Sequence, residues 1–204
     1  MTKITFNPPA DNQVHTYCLR CSAETVTHHP RAKRDQVYQC ATCGHSDSRA
    51  LIIDLVVSWW LDAGQEYWHE TAGVFVADGD KFLFFERVKY PFGLTVPAGH
   101  RDRGEDAQVA GMRELREETG LRVSELRHVA TDDIRGDGCR RGADIHRWHI
   151  YATRLPSGST IKVDSSEGAR PVWLTLQEAL DRDATYAIRH IITRHAKAIR
   201  RAVR

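Results

Sequence analysis

No run of apolar residues in this 204-residue chain is long enough to cross a bilayer. The longest, Ala50 to Leu61, is broken by Asp54 and falls short of the ~20 residues that a spanning helix needs, so no membrane partner is expected. No early segment combines a basic start, an apolar core and a small-residue cleavage site. A secretory leader is therefore not expected, and the cytoplasm is the expected compartment. A dominant charge sign is also lacking. The 29 Lys and Arg nearly balance the 27 Asp and Glu, and a net charge of +2 gives no argument for a polyanionic partner. Internal repeats and low-complexity tracts are absent, which excludes solenoids and disordered arrays. An apolar content of 41% suffices for a real core, in one domain or a domain with a small appendage.

Five cysteines in a cytoplasmic chain call for a reason other than disulfides. Cys18-Leu19-Arg20-Cys21 and Cys40-Ala41-Thr42-Cys43 form two CxxC pairs with 18 residues between them, which is zinc-site spacing. Four thiolates favour tetrahedral Zn²⁺, and a closed four-sulfur shell is structural. Gly44 suits the tight turn after the second pair, and His28, His29 and His45 read as bystanders. Cys139, alone in a polar loop, reads as a surface thiol rather than a ligand or nucleophile. The implied organisation is a flexible arm over 1–13, a small zinc ribbon over 14–50, a linker over 51–66 and a catalytic domain over 67–204.

From Tyr67 onward strand and helix signals mix. Thr71 to Ala77 and Lys81 to Val88 read as a hairpin through Asp78-Gly79-Asp80, and Leu94 to Ala98 as a short strand. A helix is predicted over 105–119, closed by Gly120. Further strands are expected at Arg122–Thr131, Ile145–Leu155 and Val172–Leu174, the last leading into a helix through Leu180. A final helix over 184–203 carries Ile188, Ile191, Ile192 and Ile199 on one face. The mixture predicts an α/β fold, a sheet packed against helices.

The segment Gly99 to Leu121 carries the chemistry. At 100° per residue Glu114, Glu117 and Glu118 occupy one narrow sector, with Val109, Met112 and Leu115 expected as the buried face. Three like charges on one stripe repel unless cations fill the gap, and carboxylate oxygens favour Mg²⁺ or Mn²⁺. Those ions pair naturally with phosphate. Gly111 stands mid-helix at a cost of about 1 kcal/mol in propensity, which close packing against a neighbour would explain.

This segment resembles the Nudix box: Gly, five residues, Glu, seven residues, then Arg-Glu-apolar-any-Glu-Glu-any-Gly-apolar. Gly99, Glu105, Arg113, Glu114, Leu115, Glu117, Glu118, Gly120 and Leu121 fill every defined position. The resemblance implies a Nudix-type mixed β-sheet sandwiched between helices. It also implies hydrolysis of a pyrophosphate bond in a nucleoside diphosphate derivative by metal-activated water. Glu114, Glu117 and Glu118 would then hold catalytic Mg²⁺ or Mn²⁺, with the Gly99 carbonyl completing part of the shell. Glu105 would bind a second ion or pair with Arg113, and Arg113 would orient the glutamates. The general base is left open. Glu167, in the loop before Val172-Trp173-Leu174, resembles the position used in many relatives, while Asp132 and Asp133 are weaker candidates.

A ribbon ahead of such a domain resembles the NADH pyrophosphatase group, but that group's Ser-Gln-Pro-Trp marker after the box does not occur here. The substrate is left among a dinucleotide such as NAD(H), a nucleotide sugar and a nucleoside triphosphate. The aromatic candidates for reading it are Trp148, Tyr151, Phe92 and Tyr90, and the cationic ones are Arg87, Arg101, Arg140 and Arg141. Alternation along Ile145 to Leu155 puts His146 and Trp148 on one face and His149 and Tyr151 on the other, so only one pair can face a cleft. A core role is favoured for the aromatics, and Trp59, Trp60 and Trp68 are expected to pack the ribbon against the catalytic domain. The loop from Gly136 to Gly142 is either a lid or plain surface. The arginines of the last helix read as a solvated face, with RNA as the less favoured partner. Two further readings stay open, a non-catalytic nucleotide sensor and an RNA-end processing protein. A homodimer is possible by analogy with relatives.

Overall fold

The computed structural model describes residues 1–30 and 36–204, so residues 31–35 of the expected ribbon lie outside the described residues. The elements run β1 (His15–Tyr17), β2 (Val26–Pro30), β3 (Gln36–Cys40), β4 (Ser46–Asp47), β5 (Leu51–Ile53) and β6 (Trp59–Leu61), then the long hairpin β7 (Tyr67–Asp78) and β8 (Lys81–Arg87). After these come β9 (Leu94–Thr95), β10 (Ala98–His100), α1 (Ala107–Thr119), β11 (Arg127–Arg135), β12 (Ile145–Arg154), β13 (Gly168–Leu174), α2 (Leu176–Leu180) and α3 (Tyr186–Ala202).

Five strands form the spine of the main sheet in the order β11-β12-β7-β8-β13, with β6 and β10 added to β7 and β9 added to β8. The β12–β7 pair is parallel and its neighbours are antiparallel, which makes the sheet mixed. Strand β7 reads as a near-continuous apolar run because both its faces are covered. Ala72, Val74 and Val76 face α1, whereas Phe75 and Ala77 face the opposite layer with Ile188, Ile191 and Ile192 of α3. The expected architecture, a mixed sheet between helices, is therefore observed. Among the described residues no helix is long and apolar enough to cross a membrane.

The N-terminal region forms the three-stranded sheet β2-β3-β4, while β1 pairs with β5. The Sγ atoms of Cys18 and Cys43 lie 3.7 Å apart, as do those of Cys21 and Cys40. Two sulfurs about 2.3 Å from one tetrahedral centre stand about 3.7–3.8 Å apart, so the four thiols fit a zinc ribbon. Both CxxC turns end on a left-handed residue, Ser22 at φ 57° and Gly44 at φ 69°.

Several expectations are corrected. The arm is not loose: Ile4 is fully buried, its amide donates to the Gln65 carbonyl, and the Thr2 amide donates to Asp144. Residues 51–66 are not a linker, because β5 pairs with β1 and β6 pairs with β7. Ile4, Tyr17, Leu51, Ile53 and Tyr67 share one apolar cluster, against which Trp59 packs. Trp60 stacks on Trp68 at 5.3 Å within the sheet. The strand expected at Leu94–Ala98 is split between β9 and β10, and the strand expected from Arg122 begins at Arg127.

Helix α1 starts where the Asp106 side chain caps the amides of Gln108 and Val109, and it ends on Gly120 at φ 75°. Its buried residues are Ala110, Gly111, Leu115, Glu118 and Thr119; Val109, expected inside, is exposed. The reason is angular. Val109 lies about 180° around the helix from Glu118, and the helix turns the glutamate inward. Gly111 is the residue that lets α1 approach the sheet. A Cβ there would lie 3.1 Å from Leu126 Cδ1 and 3.4 Å from Val74 Cγ2 and Tyr151 Cδ2. Gly111→Val is expected to destabilise the fold by about 1–3 kcal/mol through overpacking, measured by urea denaturation. An unchanged midpoint would contradict this account of α1 docking.

Candidate active site

Strands β8 and β10, helix α1 and the loop after β12 converge on a cleft of about 420 Å³. It is lined by Arg87, Gly99, Glu114, Glu117, Glu118 and Glu167, among others. The convergence follows from local structure. The helix presents Glu114 and Glu118 one turn apart on its inner side, and β10 runs directly beneath them. Glu118 is 4% exposed, and its Oε2 accepts the Ala98 amide at 2.8 Å. A Cβ on Gly99 would lie 2.2 Å from the Glu114 carboxyl carbon, so only glycine leaves room for that carboxylate against the strand. Glu117 is half exposed and stands at the mouth.

Burial in this pocket pushes the Glu118 carboxyl up to about 8 and that of Glu114 up to about 7. The neighbouring carboxylates, Glu167 included, add to both shifts, while Arg87 opposes the rise at Glu118 and Arg113 opposes it at Glu114. A buried carboxylate and a largely shielded one, held near each other, form a site that a hard cation would satisfy, and the donor set is all oxygen.

Arg113 is the organiser of the box. Its Nε and one Nη donate to the two Glu105 oxygens at 3.0 and 2.9 Å, and the same Nη donates to the His100 carbonyl at 3.0 Å. The other Nη donates to Glu114 at 2.6 Å. Glu105 also accepts the Asp102 amide. Both Glu105 oxygens are thus engaged and the side chain does not line the cleft, so of the two roles expected for it, ion binding or pairing with Arg113, the pairing is the one observed.

Glu167 is brought in by its loop. The Lys162 amide donates to the Thr119 carbonyl and the Asp164 amide to the Glu118 carbonyl, which pins the segment to the end of α1. There Glu167 pairs with Lys89 and lines the cleft. Asp132 and Asp133 are elsewhere, the first bound to His190 and His195 and the second to Arg147.

Arg87 lines the cleft with a buried Nε that has no hydrogen-bond partner. Arg140, Arg141 and Tyr90 line it too, with Arg141 paired to Asp54 at 2.7 Å. Arg101 does not. It is held by Glu70, Ser58 and the Glu105 carbonyl, so its charge is committed to the fold. Trp148 lies at the cleft floor, with Nε1 donating to Asp137 at 2.7 Å. Tyr151 is corrected: it points to the other face of β12 and packs under α1 among Val74, Leu115 and Leu126. Phe92 lines a neighbouring pocket instead.

Sequence reasoning missed Cys139 and three histidines. Cys139 is buried, not a surface thiol, and lies beside His69, His100 and His146 along one wall of the region. These residues are scattered from 69 to 146 and carry no motif spacing, so only the alternation noted for His146 hinted at them.

The family model for the NUDIX domain matches residues 68–195. Among curated relatives, Nudix hydrolase 26 (chloroplastic) of Arabidopsis thaliana is 36% identical over 67 residues, covering 32% of this chain and 31% of that protein. The NAD-capped RNA hydrolase NUDT12 of Homo sapiens is 30% identical over 105 residues, covering 51% of this chain and 21% of that protein. The chain thus matches less than a third of either relative's length. A solved NUDIX hydrolase from Nitrosomonas europaea is similar in fold at a TM-score of 0.51 and 20% identity, covering 64% of this chain and 90% of that one. With the family model matching well over half of its residues and its glutamates gathered in one cleft, the chain belongs to the Nudix family.

Proposed function

We propose that this chain hydrolyses the pyrophosphate bond of a nucleoside diphosphate derivative with the help of Mg²⁺ or Mn²⁺. The observation that carries the reading is the pair of inward-facing carboxylates, Glu118 buried and Glu114 largely shielded, set against the side-chain-free Gly99 with Arg87 and Glu167 on the same cleft. Glu114, Glu117, Glu118 and the Gly99 carbonyl would hold the ion. When bound, such an ion lowers the pKa of water and offsets charge on the displaced phosphate.

The chain's own groups divide the remaining work. Arg87, cationic and unsatisfied at Nε, binds a phosphate oxygen of the substrate. Glu167 accepts the proton of the attacking water as its oxygen bonds to phosphorus, and the bridging phosphorus–oxygen bond breaks to release the second phosphate product. Arg113 keeps Glu114 aimed into the cleft, with Glu105 fixing the arginine in turn. The Trp148 indole offers an apolar edge at the cleft floor. Zn²⁺ in the Cys18, Cys21, Cys40 and Cys43 set has a structural role.

A dinucleotide of the NAD(H) type is the favoured substrate class, supported by the ribbon-plus-Nudix order and by the activity named for the human relative. Nucleotide sugars and nucleoside triphosphates are the competitors. The test is a panel containing NADH, NAD⁺, NAD-capped RNA, ADP-ribose, a nucleotide sugar and a nucleoside triphosphate, each with Mg²⁺ or Mn²⁺. Glu118→Gln should lower turnover of the preferred substrate by more than about 100-fold, since even groups supporting metal ligands cost 10–100-fold. Tight nucleotide binding without turnover of any member would favour a sensor. The same outcome in wild type and variant would remove the metal site.

A second prediction concerns pH. The folded carboxyls near 7 and 8 stand above their ordinary value of 4.5, so the metal-free folded chain holds more protons than the unfolded chain between these limits. The stability this lends the metal-free fold is fully present below about 4.5 and is lost as pH rises through 7–8. Deprotonation is also what the ion requires. The rise in Tm caused by added Mg²⁺ should therefore grow from pH 6 to pH 8.5. It should vanish in Glu114→Gln/Glu118→Gln, and a pH-independent rise would contradict the assignment.

A further inference from the structure

We infer that His69, His100, Cys139 and His146 form a second site for a zinc-type transition metal ion, with ligands distinct from those of the ribbon and of the carboxylate set, on a wall of the cleft that holds the glutamates. Each of the four offers one ligand atom, and these atoms all lie within 4.8 Å of one another. His69, Cys139 and His146 are buried, and His69 has no exposed surface at all. The imidazole rings pack with centroids 4.7–5.5 Å apart.

The contact distance fits a bound ion. His69 Nδ1 stands 3.6 Å from Cys139 Sγ. A nitrogen at about 2.0–2.1 Å and a sulfur at about 2.3 Å from one tetrahedral centre are separated by about 3.5–3.6 Å. The hydrogen bonds point the same way. His146 Nδ1 faces the Asp137 carbonyl at 2.8 Å, and a carbonyl only accepts. Nδ1 therefore carries the proton, and in the neutral ring Nε2 keeps its lone pair for an ion. Asp137, buried and also bound to Trp148, supplies the outer support that metal-bound histidines usually have.

Three nitrogens and one thiolate select a borderline ion over Mg²⁺ or Mn²⁺, and four protein ligands leave no position open for substrate. The role is accordingly structural. His69 and His146 are direct partners across the parallel β7–β12 pair, and His100 follows Gly99 on β10. Cys139 comes from the Gly136–Gly142 loop. One ion would bolt that loop to three strands and fix the backbone next to the carboxylates, through the Arg113 bond to the His100 carbonyl. On this account the loop is a fixed wall of the cleft, not a mobile lid.

Metal analysis of the full chain, purified without added zinc, tests the site. About two zinc equivalents are expected in the wild type. Cys139→Ala and His69→Gln should each lose about one, while Cys18→Ser/Cys21→Ser should keep about one. In cobalt-grown protein, subtracting the Cys139→Ala spectrum from that of the wild type should leave a thiolate-to-cobalt band much weaker than the ribbon's, one sulfur against four. A wild type with one equivalent or fewer, lost entirely in the ribbon variant, would overturn the inference. So would an unchanged zinc content in folded Cys139→Ala. Should a variant fail to fold, the wild-type stoichiometry decides.

Discussion

Withdrawal from water of Glu118, which is buried, and Glu114, which is largely shielded, on the inner side of helix α1 is the interaction on which the rest of this architecture depends. Withdrawing like-charged carboxylates from water costs several kcal/mol per ion unless each finds a compensating partner. The surroundings are built around that cost. Gly99 carries no side chain where the Glu114 carboxyl must sit, and the Ala98 amide meets Glu118. Arg87 and Arg113 supply positive charge from two directions. The helix sacrifices an apolar position for the purpose, leaving Val109 in solvent so that the glutamates face inward.

Arginines in this protein divide by whether their charge is committed. Arg113 is held by Glu105, Glu114 and a carbonyl, and Arg101 by Glu70 and Ser58. These are internal struts, and they hold the ends of β7, β10 and the loop before α1 in one register. Arg87 keeps a buried, unsatisfied Nε on the cleft, which suits it to an incoming anion. The same distinction applies to the aromatics. Trp148 and Tyr151 stand three positions apart on one strand and so on opposite faces, one meeting the cleft and the other the core under α1.

The N-terminal region is integrated with the main sheet rather than tethered to it. Ile4 lies in the same apolar cluster as Tyr67 and Cys139, and β6 adds directly to β7. Arg49, just beyond the ribbon strands, donates to the carbonyls of Cys139 and Ala143 and pairs with Asp144. The loop that lines the cleft is thus braced from the ribbon side as well as from the strands.

Features encoded within a short stretch were legible from residues alone. The box spans Gly99 to Leu121, and a helical period converts its spacing directly into a shared face. The CxxC pairs work the same way, since each tight turn brings its own two sulfurs together. The capping residues Asp106 and Gly120 and the hairpin at Gly79 are likewise local. Wherever the answer depended on which of two faces a strand or helix turns inward, the local pattern was silent. Val109 faces outward and Tyr151 leaves the substrate-reading candidates for that reason, and the segments on either side of the ribbon, expected as arm and linker, are tied in by partners that lie far along the sequence. Cys139 shows the limit most clearly. Its neighbours come from three strands, separated by up to 77 positions (146 − 69), and only the pairing of β7 with β10 and β12 makes them one cluster. Periodicity and spacing settled the family and the carboxylate helix, because those are properties of contiguous chain. Strand order and register decided which side chains share a wall, because contacts across a sheet leave no trace in local spacing.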